Sequence, residues 1–302
     1  MVETIVFNNY ILFWVCIIGL CLGSFYNVVI LRSLDNESII YPPSKCPKCG
    51  NKLKPWHNIP ILSYIFLRGK CAFCKEKISI QYPIIEFLTM VLFAISYIKF
   101  GFTIKTLFAM FWVSTLIIMS VTDIREKLVD CDIAIALGVS GVLYNCVDMG
   151  LSGGIRSVLG LIIGIVVIEI ISRLGILLAN TKAMGEADTY VAAALGAIVG
   201  FQNIGWVLLY GLVASMIIIL PMFLYNRYKS DDKLTCILSI LFILAGLVFK
   251  SGIQNYWTIG AVASIGIMLA WAILKGLEDE GNRNYLPYVP ALSIGFLYFL
   301  FI

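Results

Sequence analysis

The run TIKTLFAMFWVSTLIIMSVTD, residues 103–123, carries one charge, Lys105, before it closes on Asp123. As a helix rising 1.5 Å per residue, residues 103–122 measure about 30 Å, the thickness of a hydrocarbon layer. Nine further apolar runs lie at about 10–31, 84–100, 133–149, 155–179, 188–200, 203–226, 234–249, 255–275 and 286–302. The expected fold is therefore an all-α polytopic membrane protein with about eight to ten transmembrane helices. The run at 188–200 is short and rich in Ala and Gly, so it spans only if tucked among neighbours or where the bilayer thins.

Composition supports this reading. Sixty per cent of residues are hydrophobic and 13% are charged, where soluble domains carry about 25% charged residues. The first run is too long for a signal peptide and no A-x-A-like site follows it, so it is expected to persist as the first span. With the N-terminus outside, Lys99, Lys105, Arg156 and Lys250 fall on the outer side, and the remaining 18 of 22 Lys and Arg fall inside. That bias fixes the expected orientation. It also accounts for the net charge of +4 without a nucleic-acid partner.

The expected organisation is a first span (1–31), a cytoplasmic Cys-rich insert (32–83), a membrane core (84–226), a two-helix insertion (227–285) and a last span (286–302). The insert is too small for a large core, and such domains commonly add a metal. It holds Cys46-Pro47-Lys48-Cys49 and, after 21 residues, Cys71-Ala72-Phe73-Cys74. This is close to the four-thiolate zinc pattern, with Gly50 and Gly69 where turns must tighten. A reducing cytoplasm disfavours disulfides, leaving free or redox thiols as the other reading. Cys16, Cys21, Cys131, Cys146 and Cys236 read as small buried hydrophobes. His57 is the single histidine and reads as a surface or interface residue, which leaves little for a Ser-His-Asp triad or a multi-histidine metal site.

A carboxylate beside hydrocarbon costs about 2.5–3.5 kcal/mol on insertion scales. Asp123 and Asp188 both stand at cytoplasmic edges of apolar runs, 65 positions apart. Gly185 and Ala187 permit close backbone approach beside Asp188. Two carboxylates held together share a proton, so that one takes a proton from water while the other polarises a scissile carbonyl. Each aspartate could instead be a helix cap, with Asp130, Asp132 and Glu186 as competitors and Asp132 reading best as a cap. Glu169 and Arg173, spaced i, i+4, read as a structural ion pair.

These residues resemble the bacterial type IV prepilin leader peptidase/N-methyltransferase family, a GxGD-type membrane aspartyl protease family. The series begins with Gly23-Ser24-Phe25-Tyr26-Asn27 and Ser44-Lys45-Cys46. It continues through Asn58-Ile59-Pro60-Ile61, Leu67-Arg68-Gly69-Lys70-Cys71 and Gln81-Tyr82-Pro83 to Glu86. Leu286-Pro287-Tyr288-Val289-Pro290 resembles the start of the family's last helix. The resemblance implies catalytic Asp123 and Asp188, prepilin or pseudopilin substrates, and cleavage at the cytoplasmic face of a bacterial inner membrane. It also implies N-methylation from S-adenosylmethionine, associated with the insert and Glu86; structural zinc on Cys46, Cys49, Cys71 and Cys74 is the reading of the cysteine spacing itself. The chain departs from the pattern at Ala187 (for Gly), Tyr190 (for Lys) and Val129 (for Pro). Alternatives are a peptidase without methylation, a transporter or channel using the membrane acids, and a non-catalytic scaffold. Neither the particular pilin nor the oligomeric state is legible.

Overall fold

A computed structural model describes residues 2–34, 37–38, 40–41, 43–179, 185–229 and 288–302. The runs expected at 234–249 and 255–275 lie outside the described residues. The helices are α1 (Val2–Leu34), α2 (Leu62–Phe66), α3 (Gln81–Phe100), α4 (Ile104–Glu126), α5 (Cys131–Ala179), α6 (Glu186–Val199), α7 (Ile204–Lys229) and α8 (Val289–Phe301). Among the described residues, four segments are long and apolar enough to cross a membrane: Asn8–Leu34, Gln81–Phe100, Ile104–Glu126 and Cys131–Arg173. Shorter apolar helices run Ile204–Ser215 and Val289–Phe301.

Local chemistry sets the breaks. α3 stops at Gly101, whose φ of 65° a side chain would resist. α4 stops at left-handed Lys127, whose N–H bonds the Asp123 carbonyl at 2.9 Å. The runs expected at 133–149 and 155–179 are the two halves of α5, divided at Gly150 with φ 64° and ψ −145°. Asp130 Oδ1 accepts the Asp132 N–H at 2.9 Å. Asp130, not Asp132, is therefore the cap of α5, because only a side chain preceding the first turn can reach its free N–H groups.

Lipid tails are as apolar as leucine, so helices in a bilayer associate through close packing and hydrogen bonds. The chain uses glycine for this. On the second half of α5, Gly160 and Gly164 meet Gly196 and the Ala192 carbonyl of α6. A Cβ at Gly196 would stand 2.6 Å from the Gly160 carbonyl carbon. Gly19 and Gly23 likewise admit α3: a Cβ at Gly23 would lie 2.7 Å from Glu86 Cα. Gly211 and Gly295 bring α7 against α8. The buried Asn145 Nδ2 points at Ser157 Oγ (2.8 Å) and the Ile198 carbonyl (2.9 Å), tying both halves of α5 to α6.

α4 is the central helix. Ala109, Trp112, Leu116 and Met119 recur at helical spacing and enter one core with residues of α5, α6, α7 and α8. Val113, Ile117 and Ile118 enter a second core with Tyr26 and Ile30 of α1 and with Ile85, Leu92 and Phe93 of α3. Buried polar pairs cross these interfaces: Tyr26 Oη to Ser114 Oγ (2.6 Å) and Trp112 Nε1 to Ser140 Oγ (3.0 Å). Cys21, Cys131 and Cys146 are exposed on the outside of the bundle and Cys16 is half-buried. The expectation of buried thiols fails there because apolar character does not separate a core-facing from an outward-facing position in a membrane helix. Cys236 lies outside the described residues. Glu169 and Arg173 form the expected pair at 3.2 Å.

Gly196→Val should force α5 and α6 apart and cost about 1–3 kcal/mol or more. Gly205→Val, where a Cβ meets nothing within 4 Å, should change stability far less. Thermal unfolding of the two variants in detergent checks the contrast.

Candidate active site and metal centre

Five helix ends meet at one side of the bundle. The end of α1 reaches the start of α3 through Asn27 Nδ2 and the Tyr82 carbonyl (3.3 Å). The end of α4 reaches the start of α3 through Arg125 Nε and Gln81 Oε1 (2.8 Å). The starts of α6 and α8 lie there as well, and each carries part of the candidate active site.

Asp123, 3% exposed, projects from the last turns of α4. Its Oδ2 accepts the backbone N–H of Val289, the first residue of α8, at 3.1 Å. Asp188, 2% exposed, is the third residue of α6. Its Oδ2 reaches back to the N–H of Gly185, the N-cap, at 2.9 Å. Asp188 is therefore not the N-cap itself, although it satisfies one of the free N–H groups at the helix start. Its charge also acts on the phenol of Tyr288. Tyr288 and Val289 are neighbours in the chain, so one short segment bonds Asp123 and lies within the field of Asp188. Gly185 holds an extended backbone (φ −83°, ψ 167°) at the start of α6, with half-buried Ala187 directly before Asp188. The competitor Glu186 is exposed.

The sequence reading found both aspartates and missed the part played by α8. The available signal was Tyr288-Val289-Pro290: proline falls in the first turn of α8, where its missing N–H costs nothing. The preceding N–H groups are left free for a carboxylate.

The metal centre is built from two copies of one turn. Lys45 bridges Lys52 and Lys70 bridges Lys77. Within each turn the first cysteine N–H bonds a carbonyl five residues on: Cys46 to Asn51 (3.0 Å) and Cys71 to Glu76 (2.8 Å). The residue after each second cysteine is left-handed: Gly50 at φ 69° and Lys75 at φ 61°. The four Sγ atoms of Cys46, Cys49, Cys71 and Cys74 lie within 4.8 Å of one another, and Cys46 and Cys74 are 3.9 Å apart. A tetrahedral ion with bonds of about 2.3 Å to sulfur has S···S edges of about 3.8 Å. The cluster fits a metal ion.

Its thiols are poised to lose protons unequally. Backbone N–H groups of Cys74 and Phe73 favour the Cys71 thiolate and lower that thiol to about 7. At Cys74 the Glu76 N–H also favours the thiolate. Burial and the neighbouring Cys71, Cys49 and Cys46 outweigh it, pushing the thiol up to about 11. A divalent cation would replace these crowded protons. His57 packs edge-on between Trp56 and Phe73 and is not part of the cluster.

Glu86, 6% exposed on α3, joins the insert to the bundle. Its Oε2 accepts the N–H of Ile61 at 2.7 Å, and Ser24 of α1 lies beside the same carboxyl. Ile61 is itself left-handed at φ 59°, a conformation costly for a β-branched residue. The carboxylate bond holds it there.

Residues 17–100 match the bacterial peptidase A24 N-terminal domain, and residues 110–224 match the type IV leader peptidase family. A prepilin leader peptidase/N-methyltransferase of Neisseria gonorrhoeae is 34% identical over 229 residues, covering 67% of this chain and 80% of that protein. One from Myxococcus xanthus is 31% identical over 202 residues, covering 67% of this chain and 60% of that protein. One from Bacillus subtilis is 45% identical over 113 residues, covering 37% and 46%. No solved structure matches the chain.

Purified protein should hold one metal ion per chain by elemental analysis. Cys71→Ser should weaken its retention, and acidification should release it as protons compete for the thiolates. Lys75→Gly should relieve a left-handed backbone worth about 1–2 kcal/mol and raise the melting temperature of the insert.

Proposed function

The chain belongs to the type IV leader peptidase family, and from that premise we propose that it is a membrane aspartyl endopeptidase acting on type IV prepilins or pseudopilins. In this reading it removes the leader and then methylates the new N-terminus. The observation that carries it is a pair of buried carboxylates at helix ends, Asp123 held by the Val289 N–H and Asp188 by the Gly185 N–H. A transporter places its ionisable groups near the midplane. Both acids here lie near helix ends, Asp123 in the last turns of α4 and Asp188 in the first turn of α6.

The chemistry follows from the pair. The ionised carboxylate takes a proton from water as the oxygen attacks the scissile carbonyl carbon. The protonated one donates toward the carbonyl oxygen. Collapse of the tetrahedral intermediate breaks the C–N bond, and the leaving amine takes up a proton. The Val289 and Gly185 N–H groups hold the two carboxylates in place meanwhile. Small residues at Gly185 and Ala187 leave room for an extended substrate backbone.

We assign the four-cysteine cluster to structural zinc, whose tetrahedral preference suits four thiolates. S-adenosylmethionine would supply an activated methyl group to the freed amine. The insert with Glu86 is the segment we associate with that step, because Glu86 fixes the insert against α1 and α3. The family is one of bacterial inner-membrane proteins. We place the N-terminus outside and the site at the cytoplasmic face on the distribution of Lys and Arg.

Asp123→Asn and Asp188→Asn should each lower leader removal from a prepilin in detergent by roughly 10²–10⁴-fold, scored by gel shift. Wild-type cleavage by either variant would refute the two-aspartate assignment. Val289→Pro deletes the donor to Asp123 and should lower kcat, while Val289→Ala keeps it and should not. Cys46→Ser should reduce labelled methyl transfer to the cleaved product more than it reduces cleavage.

A further inference from the structure

The insert exposes more large apolar surface than its own folding explains. α2 has no buried residue. Leu62 is 51%, Ile65 61% and Phe66 80% exposed, and Trp56 and Ile59 just before them are exposed too. A soluble appendage would keep such residues covered.

Two observations say what covers them. The first is depth. The Ile61 N–H, at the start of α2, is held by Glu86, five residues into α3. At 1.5 Å per residue the Glu86 Cα lies about 7.5 Å along the helix from Gln81, so the start of α2 is tied to a level comparable with the roughly 5–10 Å to which interfacial helices sink. At the same level α3 leaves Ile84, Phe87 and Leu88 exposed, as a membrane-crossing helix does toward lipid. The second is charge. Residues 35–80 carry eight Lys and Arg against three Asp and Glu. Lys54 and Arg68 flank the apolar stretch, with Lys54 Nζ 5.2 Å from the Trp56 ring centroid. Apolar residues rimmed by cations match a bilayer surface of acyl chains beneath anionic headgroups.

We infer that the four-cysteine insert is a membrane-surface domain, docked on an anionic lipid leaflet by α2 and its basic flanks. The metal cluster then fixes a lipid-seated platform beside the helix ends. The inference is independent of the peptidase reading and holds for either orientation of the bundle.

The test uses the full chain in nanodiscs, with a photoreactive benzoylphenylalanine at Phe66 or, as lipid-facing control, at Phe87. Retained metal shows that the insert is folded in each variant. Lipid adducts at position 66 should reach at least half the yield at position 87. They should be more abundant with phosphatidylglycerol than with phosphatidylcholine alone, and Lys54→Gln/Arg68→Gln should shrink that difference. A yield below half, cross-links mainly to a second copy or to a prepilin, or equal yields in the two lipids would overturn the inference.

Discussion

A carboxylate removed from water needs a donor, and Asp123 finds its own 166 positions later in the chain, at the first N–H of α8. That bond ties the central helix to the last one. It depends on α8 beginning where it does, and α8 begins there because Pro290 can occupy a first turn but no later one. Glycine contacts seat α8 against α7, while Leu292 and Phe296 enter the same core as Trp112. Moving α8 by one turn, about 5.4 Å, would strand Asp123 and separate Tyr288 from Asp188. The proposed chemistry therefore rests on helix packing throughout the bundle.

A second carboxylate does comparable work for the insert. Glu86 is buried where α1 and α3 pack through Gly23, and it accepts the N–H of the left-handed Ile61. Burial without a donor would cost more than a surface position returns. The same bond sets how far α2 is drawn down along α3. Local backbone bonds shape the two knuckles, but Glu86 ties the insert to the bundle.

The repeated knuckle shows why spacing alone located the metal site. A Cys-x2-Cys turn needs little beyond its own local backbone bonds, and both copies form them within eight residues. Their pairing puts four sulfur atoms at the separation a tetrahedral ion demands. The aspartate site has no such local signature. Between Asp123 and Asp188 the chain makes the double passage of α5, and the residues that complete the site arrive a hundred positions after the second acid.

The sequence by itself determined the apolar runs of the described bundle, the break near Gly150 and the four-thiol cluster, and it singled out Asp123, Asp188 and Glu86, all three of which are buried. These are local properties: length against bilayer thickness, metal spacing, and charge placed beside hydrocarbon. It misassigned the cap of α5, because Asp130 and Asp132 are equivalent until the helix start is known. It also misjudged the outward-facing cysteines, since in a bilayer both faces of a helix are apolar. Only the tertiary structure decided that Tyr288 and Val289 join the aspartates and that Glu86 anchors Ile61. Such contacts join residues tens to more than a hundred positions apart, and their geometry is set by how closely glycine lets the helices approach.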